Sequence, residues 1–252
     1  MDFVFDLDGT ICFKGKPLTD KIVSGLERLR LEGHHVIFAS ARPIRDMLPV
    51  LPRHMHNYTM IGGNGSLISQ NGELKHSTAF SERQTAAIQA LLLEHAATYL
   101  IDGQWDYSYT GADDHPILNN LDPARLANKI PLDDHPFIVK VLILSAIDLE
   151  KLAEKLSALD VVIHRHANEN MLDISPKDIH KWKALRTLSV PEGAYIAFGN
   201  DANDITMFAN AAHSVMIGHH DELAKYAAEC IPLDESVEDR IVAKLEQLSK
   251  ER

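Results

Sequence analysis

The chain has 252 residues, 45% of them apolar and 24% charged, a composition typical of a globular protein with one large core or two smaller ones. Its formal net charge of −11 disfavours nucleic acid and anionic membranes as partners. We find no signal-peptide pattern at the start and no apolar stretch near the roughly 18 residues that a membrane-spanning helix needs. The two cysteines lie far apart and are expected to be reduced, so we predict a cytoplasmic protein.

The first forty residues predict a strand, a helix and a second strand. The apolar run FVF at residues 3–5 is typical of a buried strand. The segment LTDKIVSGLERLRLEG has apolar residues at helical spacing, with Thr19 as the N-cap and Gly33 as the stop signal. The run HVIFAS predicts another buried strand, which ends at Ser40. A strand–helix–strand unit of this length indicates a parallel sheet.

The middle of the chain has a different pattern. The segment SLISQNGELK contains Asn71 and Gly72 between alternating residues, which predicts a hairpin. Next, SERQTAAIQALLLEHA places Ser81 and Gln84 at the spacing of a helical capping box. An alternating WDYSYT, a strand FIVKVLIL, an amphipathic DLEKLAEKL and a strand VVIH follow. We interpret residues 80–171 as an inserted α+β domain.

The end of the chain returns to alternating helices and strands. Helical HKWKALRTL precedes a strand AYIAF, helical NDITMFANA precedes a strand SVMIG, and SVEDRIVAKLEQL predicts a closing helix. Residues 1–79 and 172–252 are therefore expected to form one α/β domain with a Rossmann-like parallel sheet, interrupted by the inserted domain.

Three of the predicted strands end in polar residues. FVF leads into Asp6 and Asp8, VIFA leads into Ser40, and YIAF leads into GNDAND at residues 199–204. Ligand sites of open α/β sheets lie beyond the carboxyl ends of the strands. If the three strands are neighbours, these oxygen-bearing groups converge and suit Mg²⁺, which would offset the repulsion between Asp6 and Asp8. The residues that would converge are Asp6, Asp8, Ser40, Asn200, Asp201, Asn203 and Asp204.

Each of these segments also has a simpler interpretation. A D-x-D-G sequence is often only a turn, GNDAND could be a loop with an N-cap, and a serine at a strand end is often a helix cap. Because DLDG and GNDAND both follow apolar strands, at opposite ends of the chain, a shared site is favoured over coincidence. The fourteen histidines lack a zinc pattern, and the chain has neither a Walker A sequence nor a G-x-G-x-x-G spacing.

Four segments resemble the four motifs of the haloacid dehalogenase-like hydrolases. They are DLDGT at residues 6–10, SAR at residues 40–42, Lys181 within ISPKDIHKWKAL, and GNDANDITMF at residues 199–208. The likeness is greatest to the Cof-type sugar-phosphate phosphatases, which carry a large α/β cap between motifs two and three. It covers the whole chain in order, including GGNGSLI at residues 62–68. The inserted domain would be that cap, joined to the Rossmann-like core.

The resemblance implies a role for each matching residue. Asp6 would be the nucleophile that forms an aspartyl-phosphate, and Asp8 would be the general acid and then the general base. Asp204 would orient the lysine or a metal-bound water. The phosphate would be bound by Ser40, Lys181 and Asn203, with the backbone amides of Leu7 and Ala41. Mg²⁺ would be held by Asp6 and Asp8, with Asn200 and Asp201 as the other candidate ligands.

Two of these assignments leave alternatives. Lys177, Lys181 and Lys183 lie close together, and only the family pattern favours Lys181. The family usually has aspartate where Asn200 stands, so the metal site loses a charge worth about 1 kcal/mol or more. Asp201 next to it is the other candidate for the third metal ligand.

The sequence therefore predicts a Mg²⁺-dependent phosphatase of a small phosphorylated metabolite, expected to be a sugar phosphate. The loop YSYTGADDHPILNN in the inserted domain is the candidate for substrate contact, because it is polar and loop-like. A phosphotransferase or mutase on the same scaffold is the enzymatic alternative. A phosphate-binding protein without turnover is the other, and Asn200 is the residue that motivates it.

Overall fold

The computed structural model describes residues 1–166 and 171–250, and its strands form two sheets. The strands are, in chain order, β1 (Asp2–Phe5), β2 (His35–Ala39), β3 (Thr59–Gly62), β4 (Leu67–Gln70), β5 (Glu73–Ser77), β6 (Thr98–Asp102), β7 (Tyr107–Tyr109), β8 (Lys140–Ser145), β9 (Val162–His166), β10 (Met171–Ser175), β11 (Tyr195–Gly199), β12 (His213–Ile217) and β13 (Glu229–Ile231). The α-helices are α1 (Asp20–Leu31), α2 (Ile44–Met47), α3 (Glu82–Glu94), α4 (Leu149–Ser157), α5 (Lys181–Thr187), α6 (Ile205–Ala209), α7 (Asp221–Ala224) and α8 (Val237–Leu248).

The larger sheet has β1 at its centre and is covered on both faces. Its strand order is β13-β12-β11-β1-β2-β3-β4-β5, parallel from β13 to β3. Successive side chains of β1 point to opposite faces, so Phe3 and Phe5 pack with α1 and α8, while Val4 packs with α5 and α6. Burial on both faces explains the continuous apolar run of β1. The predicted Rossmann-like parallel sheet is confirmed.

The hairpin turn and the two helix N-caps that the sequence predicts are present in the structure. The hairpin of β4 and β5 turns at Asn71 and Gly72, which have positive φ values of 54° and 76°. Thr19 caps α1 by accepting the amide of Ile22 at 3.5 Å. Ser81 begins α3 with the predicted capping box. These signals act within a few residues, so tertiary packing does not override them.

The smaller sheet belongs to the inserted domain and is antiparallel throughout. Its strand order is β7-β6-β8-β10-β9. One face packs on α3 and α4 around a core that includes Ile88, Leu152 and Ile143. The other face carries a separate apolar cluster that includes Leu100 and Leu142. That second face is the one turned toward the larger sheet's carboxyl edge.

The predicted end of the inserted domain is too early. Strand β10 starts at residue 171 and pairs with β8 and β9 up to Ser175, so the inserted domain extends at least to that residue. A charge in the middle of the strand, Asp173, interrupts the apolar pattern and hides the strand in the sequence. Strands β3, β6 and β13 were likewise not predicted, and each is a short run of three to five residues. We call residues 80–175 the cap and the rest the core; residues 167–170 lie outside the described residues.

In the described part of the chain, no helix has both the length and the apolar character needed to cross a membrane. Cys12 is buried and Cys230 is exposed, and both are free thiols.

Candidate active site

The carboxyl ends of β1, β2 and β11 lie side by side at one edge of the core sheet. Strand β1 pairs in parallel with β2 on one side and with β11 on the other. The pairing continues just past the strand ends, where the amide of Asp6 donates to the carbonyl of Phe198 at 2.9 Å. The polar residues that follow the three strands therefore meet in one place.

A lysine lies buried between two carboxylates at this edge. Nζ of Lys181 donates to Oδ1 of Asp6 at 2.7 Å and to Oδ1 of Asp204 at 2.6 Å. The lysine and Asp204 side chains are 0% exposed and that of Asp6 is 6% exposed. Lys177 and Lys183, by contrast, are exposed to solvent. Of the three lysines that the sequence offered, Lys181 is the one beside Asp6.

These three buried groups carry two negative charges and one positive charge when all are ionised. Burial raises the pKa of Asp6 to about 7, against the lowering effect of Lys181 and with a further rise from the Asp204 charge. Burial favours the neutral form of Lys181, but the two carboxylates outweigh it and raise its pKa to about 12. The ionised cluster thus has one uncompensated negative charge, which a further cation beside Asp6 would offset.

Asp8 is held by an arginine that the sequence analysis did not assign. Nε of Arg42 donates to Oδ2 of Asp8 at 2.7 Å, and Nη2 donates to Oδ1 at 2.6 Å, which is a bidentate pair. The Asp8 side chain is 47% exposed, whereas that of Arg42 is only 9% exposed. Asp8 therefore faces open space from a fixed orientation. The signal for Arg42 was present in the SAR segment, directly after Ser40.

The residues predicted to cradle a phosphate sit in the two turns that follow β1 and β2. Ser40 is buried, and its Oγ accepts the amide of Arg42 at 3.1 Å, which leaves the hydroxyl proton available to another acceptor. Leu7 is fully buried, and its carbonyl accepts the amide of Cys12 at 2.8 Å, which closes the turn after β1. The carbonyl of Ala41 accepts a hydrogen bond from the cap.

Asp204 organises the loop after β11 as well as the lysine. Its Oδ2 accepts the amide of Asn200 at 2.8 Å and that of Asp201 at 3.2 Å. Gly199 permits this approach, because a Cβ there would lie only 2.5 Å from the Asp204 carboxyl carbon. The loop therefore holds Asn200 close to the turn that follows β1. Asn203, three residues further on in this loop, donates through Nδ2 to Oδ1 of Asn64 in the core at 3.2 Å.

Asn200 lies beside Asp6, and the Asp201 carboxylate does not. The Thr10 hydroxyl donates to Oδ2 of Asp6 at 2.9 Å and is 3.1 Å from Oδ1 of Asn200. The Asp201 side chain is 53% exposed, caps the 3₁₀ turn that follows it, and lies 3.4 Å from Nε2 of His220. Which of the two residues is the third metal ligand stays a prediction, and the shared contact with Thr10 places Asn200 next to Asp6. Thr10, within DLDGT, was not assigned from the sequence.

The residues present fit a magnesium ion better than a transition metal. Among residues 1–166 and 171–250, no three His, Cys, Asp or Glu side chains are grouped to hold a metal. An ion next to Asp6 would meet hard oxygens from Asp6 and from the amide carbonyl of Asn200, which share the Thr10 hydroxyl. Mg²⁺ is typically bound by one or two carboxylates and keeps several waters. It would also supply the positive charge that the buried cluster lacks.

The cap contacts the site through two charged residues that lie in apolar strands. Nζ of Lys140 donates to the carbonyl of Ala41 at 2.9 Å and lies 3.0 Å from Oδ2 of Asp173. Nδ2 of Asn64 donates to the same Asp173 oxygen at 3.2 Å, and its Oδ1 accepts from Asn203. This chain of contacts joins the loop after β11 to the cap. The sequence signal was a single charge in FIVKVLIL and another in MLDIS.

A cavity of about 570 Å³ opens between the core and the cap next to Asp8. The core side of its lining includes Asp8, Ala41 and Arg42, and the cap side includes Lys140 and Leu142. The loop predicted to contact substrate does reach this cavity, because its residues 115–117 and 120 line it. A small molecule bound there would lie against the candidate catalytic residues on one side and the cap sheet on the other.

The fold and the site together define a phosphatase with a Rossmann-like core and an inserted cap. The family model of the haloacid dehalogenase-like hydrolases matches residues 3–243, and the chain belongs to that family. Its relatives include an HMP-PP phosphatase of Escherichia fergusonii, which is 25% identical over 85% of this chain and 83% of the relative. A Mycoplasma genitalium protein with a provisional phosphatase name is 24% identical over 91% of each chain.

Solved structures share the fold along the whole chain. A HAD subclass IIB sugar phosphatase matches with a TM-score of 0.79 at 16% identity, covering 98% of each chain. A phosphatase from Bacteroides thetaiotaomicron matches with a TM-score of 0.77 at 14% identity, covering 97% of this chain and 94% of the other. At these identities the likeness shows the fold, including a core with a cap domain.

Proposed function

We propose that this protein is a Mg²⁺-dependent phosphomonoesterase that acts through an aspartyl-phosphate on Asp6. The observation that carries the proposal is the buried contact of Lys181 with both Asp6 and Asp204. Lys181 holds one oxygen of the Asp6 carboxylate and the Thr10 hydroxyl holds the other, so this carboxylate cannot turn away. A nucleophile needs such fixed aim at the reacting phosphorus.

The reaction proceeds in two balanced steps. A carboxylate oxygen of Asp6 attacks phosphorus, the bond from phosphorus to the ester oxygen breaks, and Asp8 gives its proton to the departing alcohol. A water molecule then attacks phosphorus, Asp8 takes its proton, and inorganic phosphate leaves as the Asp6 carboxylate is restored. The exposed and oriented position of Asp8 suits both proton transfers.

Charge on the transferring phosphoryl group is stabilised by donors from three loops and from the start of helix α5. Ser40 supplies its hydroxyl, Lys181 its ammonium group and Asn203 its amide, with the backbone amides of Leu7 and Ala41. These groups come from the turns after β1, β2 and β11 and from the start of α5, so they surround a phosphoryl group on several sides. The charge of the transition state is spread over its equatorial oxygens, and donors on several sides match it.

Asp6, Asp8 and Asn200 would hold the Mg²⁺ ion, with Asp201 as the less favoured ligand. When bound, the ion neutralises negative charge on the phosphate and on Asp6. Asp204 positions Lys181 and the Asn200 amide, through its contacts with both.

The proposed substrate is a small phosphorylated metabolite. The sugar phosphatase among the solved structures supports a sugar phosphate, whereas the HMP-PP phosphatase relative supports a different phosphate ester. Transfer of the phosphoryl group to a second sugar hydroxyl, as in a phosphotransferase, remains the alternative outcome of the same chemistry. The two free cysteines support a reducing, cytoplasmic location.

The test combines phosphate release with detection of the phosphoenzyme. Acetyl phosphate and a panel of phosphomonoesters are incubated with the wild type and with Asp6→Asn, with Mg²⁺ and with a chelator. We expect Mg²⁺-dependent release of stoichiometric free phosphate by the wild type and none by the variant. Release unaffected by Asp6→Asn would overturn the mechanism. Binding without release would favour the phosphate-binding alternative, and phosphate passed to a sugar would favour the transferase.

A further inference from the structure

The cavity between core and cap has a charged row and an apolar row on the same face of the cap sheet. Lys140 on β8 pairs with Asp102 on β6, and its contact with Ala41 places this row against the core. Leu142 pairs with Leu100 in the next row of the same two strands. Residues two apart on a strand are roughly 7 Å apart. The apolar row of Leu100 and Leu142 therefore lies about 7 Å further from the core than the row of Asp102 and Lys140.

The apolar row is part of a larger wall. Leu100 and Leu142 belong to the apolar cluster on this face of the cap sheet, which also packs with the loop that follows β7. The two tyrosines of this cluster, Tyr107 and Tyr109, do not line the cavity, and the cluster members that do line it have no N–H or O–H group. Those that line the cavity are Leu100, Ile117, Leu121, Leu142 and Met171.

The charged groups of the cavity are engaged with one another. The pairs are Asp8 with Arg42, Asp46 and Asp102 with Arg45, and Asp173 with Lys140. Most of these side chains are also buried, and one of the pairs, Arg45 with Asp102, joins the core to the cap. His115 and Asn120 also line the cavity, at its loop side. A sugar laid on the wall would place its other hydroxyl groups against carbon, and burying a hydroxyl without a partner is unfavourable. A flat apolar ring would bury its surface there without that loss.

Building on the proposed function, we infer that the preferred substrate is the phosphate ester of an alcohol with an apolar ring, such as an aromatic or heteroaromatic methanol, rather than a sugar phosphate. The phosphoryl group lies at Asp6 and Asp8, and the ring lies on Leu100 and Leu142. The cavity volume of about 570 Å³ is within the range of small-molecule sites and holds a ring with substituents.

The test compares three primary esters that differ only in the ring. Benzyl phosphate, cyclohexylmethyl phosphate and glucose 6-phosphate each carry the phosphate on a CH₂ group attached to a six-membered ring. Acetyl phosphate, whose leaving group needs no ring site, reports the chemistry alone. We expect kcat/KM to be at least about tenfold higher for benzyl phosphate than for glucose 6-phosphate, as for other pockets that select apolar groups. Equal values, or a preference for the sugar, would overturn the inference.

Two variants on one strand locate the effect. Leu142 lines the cavity, whereas Leu144 is two residues further on β8, in the same apolar cluster and almost equally buried, but away from the cavity. We expect Leu142→Ala to lower kcat/KM for benzyl phosphate about tenfold and to leave acetyl phosphate unchanged. Leu144→Ala, the matched control, should leave both unchanged. Equal losses from the two variants would contradict a ring site at Leu142.

A failure of the proposed function can be distinguished from a failure of the ring-site inference. If neither acetyl phosphate nor any ester gives free phosphate or a phosphoenzyme, the enzymatic proposal fails, and the ring site is then judged by binding. Calorimetry with benzylphosphonate, which cannot be hydrolysed, would still show tighter binding than glucose 6-phosphate if the wall selects apolar rings. Weaker binding of benzylphosphonate would overturn the inference in that case as well.

Discussion

Both carboxylate oxygens of Asp8 accept hydrogen bonds from the guanidinium of Arg42, at 2.6 and 2.7 Å. The arginine is itself fixed, because its Nη1 donates to the carbonyl of Asp46 at 3.1 Å on helix α2. The candidate acid and base is thus oriented by a residue of the neighbouring strand end. The Asp6 side chain is held in place by burial. Asp8 is half-exposed to the cavity, so its orientation is fixed by the pair with Arg42 instead.

Arg42→Ala should impair catalysis in the same manner as Asp8→Asn, but less severely. General acid catalysis matters most for a poor leaving group and contributes roughly 10²–10⁴-fold in rate. We therefore expect Arg42→Ala to lower kcat by about tenfold or more for an alkyl phosphate and much less for acetyl phosphate. The ratio of kcat for the two substrates is the measurement. A uniform loss on both substrates would mean that Arg42 serves binding or folding and does not position the acid.

Lys181→Met should destabilise the fold as well as abolish activity. The substitution leaves the carboxylates of Asp6 and Asp204 buried together without a cation, and breaking a buried ion pair in this way costs about 3–5 kcal/mol. Lys183→Met is the matched control two residues further along α5, where the side chain is exposed and contributes within about 0.5 kcal/mol. Urea denaturation of the two variants gives the comparison. Equal stabilities would contradict the central place of Lys181 in the buried cluster.

Turns and helix starts were predictable because their signals are local. The end of the cap was not, because no local signal marks it. The hairpin at Asn71 and Gly72 and the capping box at Ser81 each depend on residues that are neighbours in the chain. Strand β10 depends instead on pairing with β8, about thirty residues earlier, and its buried Asp173 has no local signature of a strand. The charge of Asp173 is compensated by Lys140, and this ion pair forms only in the folded protein.

The site was predictable to the extent that charge stands out against an apolar strand. Asp6 and Asp8 were found because two like charges follow a buried run. Lys181 looks like its neighbours in the sequence, and only the start of α5 buries it between two carboxylates. The choice between Asn200 and Asp201 depends on loop geometry, since one side chain turns to Thr10 and the other to solvent. No pattern in the sequence records that direction.

Asn200→Asp should strengthen Mg²⁺ binding, because it adds a charge next to Asp6 where a neutral amide now lies. A gain of about 1 kcal/mol corresponds to roughly a fivefold lower Mg²⁺ dissociation constant. Isothermal titration with Mg²⁺ measures it directly, without any substrate. Asp201→Asn is the matched control, since asparagine can still cap the turn that follows. If the control weakens Mg²⁺ binding and Asn200→Asp does not change it, the third ligand is Asp201 instead.

The same substitution should have the opposite effect when Mg²⁺ is absent. A third carboxylate then adds repulsion to Asp6 and Asp204, which already share the single charge of Lys181. We expect Asn200→Asp to lower the melting temperature in chelator and to show a larger rise than the wild type when Mg²⁺ is added, by mass action. An unchanged melting temperature in chelator would indicate that position 200 is too solvated to feel the cluster.

The contact of core and cap should weaken as the pH rises, because of a carboxyl group on helix α2. Burial raises the pKa of Asp46 from 3.8 to about 6, although Arg45 lowers it and Asp102 raises it further. A carboxyl whose pKa is higher in the folded state binds more protons there, so its contribution to the free energy of unfolding is fully present below pH 3.8 and is lost as the pH rises through 6.

The substitution Asp46→Asn removes this ionisation and keeps an acceptor for the amide of Asp122, which Oδ1 of Asp46 accepts at 2.9 Å. We expect the free energy of unfolding of the wild type, relative to that of the variant, to fall by on the order of 2–3 kcal/mol between about pH 4 and pH 7. Urea denaturation of both proteins across that range measures the difference, in which the titrations of all other groups cancel. A constant difference, or one that rises with pH, would show that Asp46 is ionised in the folded protein throughout and that Arg45 holds it in the charged form.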